Sequence, residues 1–186
     1  MWLLTATVSA QSTLQISLAH NSPTEQQTRE QLERLLKAFD VSQWIYTKSI
    51  SIDDAALPHS HPVLTLHTRH LKDDPLLLST LIHEQFHWWL VQRDTDTQAA
   101  IKDLRQRYPS VPPEGANGEQ STYLHLLVGY LEWGADERLM GELAARQVIE
   151  FWSTDHYQFV YTTLLHDRRD IREVLAKHNL FPTGGR

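Results

Sequence analysis

The chain has 186 residues, 41% of them hydrophobic and 22% charged, the balance of a single globular domain that buries roughly 70% of its unfolded surface. Seventeen basic against twenty-three acidic side chains leave a formal net charge of −6, a poor basis for gripping a phosphate backbone, so nucleic acid is not an expected partner. Cysteine is absent. That excludes disulfides, thiolate zinc fingers, iron–sulfur clusters and thiol nucleophiles, and leaves histidine and carboxylate as the only strong metal ligands.

No apolar run approaches the roughly 18 residues of a membrane span, so no integral membrane segment is expected. The opening residues end in the small-residue run Val8-Ser9-Ala10, which resembles a signal-peptidase site without the basic start. A short strand explains Met1–Ala10 equally well. The expected location is therefore the cytoplasm, or outside it if this stretch ends a longer export signal.

Leu14 to Leu18 alternates apolar and polar and reads as a strand. Ser22-Pro23 opens a helix running to about Phe39, with Leu32, Leu35, Leu36 and Phe39 at helical spacing. Trp44 to Ile52 alternates again, the loop Leu57–Pro62 follows, and Val63 to Thr68 makes a third strand. Asp74-Pro75 then caps a helix through Leu90 or slightly beyond, and Thr97 to Tyr108 forms a shorter amphipathic helix. The proline-rich stretch from Pro109 to Gly118 is a long loop suited to a lid or substrate-side position. Ser121 begins a helix reaching about Glu150, followed by helices at 155–165 and 168–177 and a loose tail, Thr183 to Arg186. The expected architecture is one α+β domain over 1–186. Residues 1–70 carry a small sheet and the first helix, 71–150 the metal-binding helices, and 151–186 the C-terminal helices.

The chemistry concentrates in His83-Glu84-Gln85-Phe86-His87, an HExxH. Histidines four apart share one helix face, so both imidazoles reach a single ion. Neutral imidazole suits Zn²⁺, and a glutamate beside the first histidine can take a proton from water on that metal. Chance predicts about 0.04 copies of the pattern in a chain of this composition. Surface histidines are the plain alternative, but Leu77, Leu78, Leu81, Phe86 and Trp89 surround the motif with core-forming side chains.

A catalytic zinc site needs a third protein ligand. Leu90 and Arg93 occupy the places where the extended metzincin pattern wants glycine and histidine, and no cysteine exists for a deformylase-like set. The next helix offers Glu132 and Asp136, four apart on one face. This arrangement resembles the ExxxD segment of the gluzincin metalloproteases, the thermolysin-like group. The resemblance extends to chain order, with a sheet, the HExxH helix and then a glutamate helix. It implies a zincin-like core in which His83, His87 and Glu132 hold one zinc ion, Asp136 braces His83, and the edge strand Val63–Thr68 lies beside an extended substrate.

His125 lies two turns before Glu132, with Gly129 between them. It is the third ligand itself, with Glu132 behind a ligand, or a hydrogen-bond donor to the oxyanion, or a buried structural histidine. The Asp136 spacing favours Glu132 as ligand and His125 in a catalytic role. Tyr123, Tyr130, His156, Tyr157 and Tyr161 are further candidates for stabilising the oxyanion. Gly129 opens room for an ion or allows close helix packing. His59, His61, His67 and His70 are weaker candidates for a second metal.

The expected function is a zinc-dependent metallopeptidase acting on peptide or protein substrates, with Glu84 as general base. A zinc hydrolase of non-protein amides and a non-catalytic, zinc-stabilised binding domain are the two other functions open to these residues.

Overall fold

A computed structural model describes residues 14–112 and 115–182. The expectations for Met1–Ala10 and for the Thr183–Arg186 tail lie outside the described residues. The chain forms an α+β fold, with a small sheet at one end and six helices making up the rest. Strands β1 (Gln15–Leu18), β2 (Ser49–Ile52) and β3 (Leu64–Leu66) pair in that order, all parallel. Helix α1 (Pro23–Ala38) crosses from β1 towards β2 and packs on both.

The start of α1 is fixed locally. Ser22 accepts from the Glu25 amide while the Glu25 carboxylate accepts from the Ser22 amide, a reciprocal cap with proline at the first position. Glu25 is fully buried because it also accepts from the amides of His20 and Asp54, tying the ends of β1 and β2 to the helix.

Helix α2 (Asp74–Val91) is the centre of the molecule, in contact with α1, β3, α3, α4 and α5. Every residue from Leu76 to Phe86 is buried, as expected of a helix apolar on nearly all sides. Its cap is Asp73 rather than the expected Asp74. Asp74 instead receives a two-pronged bond from Arg34 (2.7 and 2.8 Å) and one from Gln31, clamping α1 to the start of α2.

Several element boundaries differ from expectation. Only Ser49–Ile52 of the Trp44–Ile52 segment is strand. The buried side chain of Gln85 accepts from the Tyr46 and Thr47 amides and donates to the Thr47 carbonyl, occupying the groups a strand partner would use. The long helix from Ser121 is two helices, α4 (Glu119–Met140) and α5 (Glu142–Asp155), separated by Gly141 at φ 88°. Glycine adopts that conformation without the strain a side chain brings, and it lets α5 fold back onto α4. The two C-terminal helices join as α6 (Gln158–Lys177), kinked at Asp167. Helix α3 (Asp94–Arg107) begins three residues earlier than expected.

Gly129 serves packing. A Cβ there would approach Leu164 Cδ1 on α6 to 2.7 Å, so the two helices meet at this glycine. Among the described residues, no helix is long and apolar enough to cross a membrane. Ser22→Ala removes both the cap and a 2.6 Å bond to Asp54, and is expected to lower stability by about 1–2 kcal/mol in urea unfolding.

Candidate metal centre

Helices α2 and α4 pack side by side. The α2 face bearing Ser79, His83 and His87 meets the α4 face bearing His125 and Glu132. Three imidazoles converge there. The Nε2 atoms of His83 and His87 are 3.3 Å apart, and the His125 ring lies 5.4 and 4.9 Å from those of His83 and His87. One ring nitrogen from each of the three lies within 4.8 Å of the others.

Their tautomers follow from their outer partners. His83 Nδ1 faces the Glu132 carboxylate at 2.8 Å and His125 Nδ1 faces the Ser121 carbonyl at 2.7 Å. Both Nδ1 positions therefore donate, leaving the Nε2 lone pairs free to turn inwards. Burial, reinforced by His83, pulls His125 down to about 3 and His87 well below the usual imidazole range. Burial pulls His83 the same way, but the Glu132 carboxylate overcomes it and holds this imidazole above its usual value. Three crowded ring nitrogens, two of them on imidazoles that burial keeps neutral, suit a divalent cation, and an all-imidazole set suits zinc.

Glu132 stands outside that group. It is fully buried behind His83, with Oε2 on His83 Nδ1 and the Tyr161 hydroxyl and Oε1 on the Ser79 hydroxyl. His125, rather than the Glu132 of the gluzincin resemblance, shares the imidazole cluster, and Glu132, rather than Asp136, meets His83 Nδ1. The reason lies in reach. One α4 turn after another carries Glu132 past the converging imidazoles, where its carboxylate meets the far nitrogen of His83. Asp136, one turn further, is wholly buried and neither of its oxygens has a hydrogen-bond partner. Burial, then the neighbouring Glu132, pushes it well above the ordinary carboxylate range.

Glu84 points to the same cavity, about 460 Å³ in volume, which His83, His87 and His125 also line. Burial raises its carboxyl to about 7 against the opposing effect of His83. The other walls come from the 57–60 loop, Asn117, Trp152, His156, Tyr157 and Tyr161. Tyr157 takes a left-handed conformation at φ 51° just before α6, and its ring lies 4.4 Å from that of His125. Of the tyrosines singled out from the sequence, Tyr157 and Tyr161 belong to this cavity. Tyr123 instead bonds the Tyr108 carbonyl, and Tyr130 lines a separate cavity of about 660 Å³. Ser79 and Trp152, which donates to the Ser79 hydroxyl, were not singled out. Ser79 was within reach of helical spacing, one turn before His83; Trp152 carries no such signal.

His59, His61, His67 and His70 do not gather around a point. His59 and His70 line the site cavity, while His61 stacks on Trp88. A second grouping, of His20, Glu25, Asp53 and Asp54, is organised by backbone amides bonding Glu25. No protein-family model, curated protein or solved structure matches this chain.

These placements separate the roles of the three α4 residues. His125→Ala is expected to abolish stoichiometric zinc binding, whereas Glu132→Gln should weaken it by about 10–100-fold, both read by metal titration. Asp136 has a folded-state pKa above its unfolded one, so its contribution to stability falls as pH rises between the two. Asp136→Asn should therefore gain in melting temperature relative to the parent as pH rises above the ordinary carboxylate range.

Proposed function

We propose that this protein is a zinc-dependent hydrolase of peptide bonds, with His83, His87 and His125 as the protein ligands. The reading is carried by one observation: three buried imidazoles converge on a cavity that Glu84 also lines. When bound, zinc supplies Lewis acidity towards a carbonyl oxygen and lowers the pKa of a water molecule towards 7.

The chain's own residues do the remaining work. Glu132 holds the Nδ1 proton of His83 and so fixes which nitrogen that ring offers. Ser79 and Tyr161 hold Glu132 in turn. Ser121 does for His125 what Glu132 does for His83, through a neutral carbonyl. Glu84 takes a proton on its carboxylate and later returns it to the leaving amine. A carboxyl raised to about 7 is matched to both halves of that task near neutral pH. Tyr157, on the cavity wall beside His125, is positioned to donate its hydroxyl to the substrate carbonyl oxygen.

This reading keeps the HExxH chemistry of the gluzincin resemblance while replacing its glutamate ligand by a third histidine. Glu84→Gln is expected to abolish turnover of a peptide substrate, a loss of at least about 10²-fold, with zinc content unchanged. Dialysis against a chelator should remove activity and leave the far-ultraviolet circular dichroism spectrum intact. Collapse of that spectrum on chelation would mark the ion as a structural staple instead.

A further inference from the structure

The outer edge of β3 is the natural place for an extended polypeptide to add as a further strand. On the inner side, β3 pairs with β2 through Leu64 and Leu66, and the Leu66 carbonyl accepts from the Asp53 amide. Thr65 is the residue of β3 whose amide and carbonyl face outwards. Both are already used. The Thr65 amide donates to the His59 carbonyl at 2.7 Å, and the His59 amide donates to the Thr65 carbonyl at 3.1 Å, an antiparallel bridge.

The bridging loop is anchored at several points. Trp88 on α2 donates its indole N–H to the Ser60 carbonyl at 2.7 Å, and the His61 ring stacks on the same indole at 4.2 Å. His59 Nδ1 lies 2.8 Å from the Leu57 carbonyl. Leu57, Pro58, His59 and Ser60 thus form a wall of the cavity holding the three imidazoles. That cavity, at about 460 Å³, falls within the range of small-molecule pockets. The arginine in its lining, Arg69, is held on both oxygens of Asp155 at 2.6 Å.

We infer that the 57–61 loop closes the β3 edge and restricts the site to compact amides and peptides of a few residues. An extended polypeptide would have to break the His59–Thr65 bridge to lie along the strand. The inference rests on the hydrolase reading for its substrate. The closed edge itself is independent of it.

Two measurements test this. With zinc-loaded protein, kcat/KM for a three-residue amide should exceed that for the same bond within an unstructured peptide of about twenty residues by about tenfold or more. Equal or faster cleavage of the longer peptide overturns the inference. Hydrolysis of neither overturns the hydrolase reading, and the substrate assignment with it. Separately, amide hydrogen exchange on the metal-free protein should show His59 and Thr65 both protected. Trp88→Phe, which keeps a stacking surface but loses the indole donor, should speed exchange at both. Rapid exchange at both amides in the parent protein overturns the closed edge whatever the activity, and keeps the question decidable if the variant fails to fold.

Discussion

A carboxylate with no solvent exposure, midway along a helix, is tolerated only where donors surround it. Glu132 meets that condition through His83, Ser79 and Tyr161, drawn from two other helices. This one anion fixes the tautomer of His83 and the separation of α2 from α4. It also holds α6 against both, because the Tyr161 hydroxyl reaches it across the bundle. The three-imidazole cluster lies beside that contact and shares His83 with it. If α4 were rotated so that Glu132 faced the imidazole cluster, His83 would lose its proton acceptor and His125 would turn away from His87.

The same logic governs α2. A helix buried along eleven successive residues, Leu76 to Phe86, must satisfy every polar group it carries inwards. Thr80 bonds the Leu76 carbonyl, Ser79 bonds Glu132, and Gln85 bonds the 46–47 backbone. On this stretch His83 and Glu84, with Thr80, line an open cavity, which is where reactive groups are of use. Rigid packing on the remaining sides gives the imidazoles a fixed aim.

Much of this was readable in the amino-acid order. The HExxH spacing put two imidazoles on one helix face, Ser22-Pro23 marked the start of α1, and Asp74-Pro75 marked that of α2 to within a residue. The third imidazole was harder. His125 and Glu132 are two turns apart on one face of α4, so periodicity places both near the HExxH histidines equally well. The choice depends on how far α4 slides along α2, a property of packing across 40 or more residues of separation. Gln85 illustrates the same limit. Its side chain takes the hydrogen bonds of a segment some forty residues earlier and so prevents a strand that alternation alone predicts. Gly141 was visible as a glycine, but helical spacing continued across it and hid the reversal.

The side chains around the His83–Glu132 pair, Ser79, Trp152 and Tyr161, come from distant parts of the chain. A nascent polypeptide emerging from the ribosome carries the HExxH segment long before Tyr161 has been synthesised. Until then the glutamate lacks one of its three donors, and its burial is correspondingly expensive. The full set of donors around Glu132 therefore exists only once α6 has docked against α2 and α4.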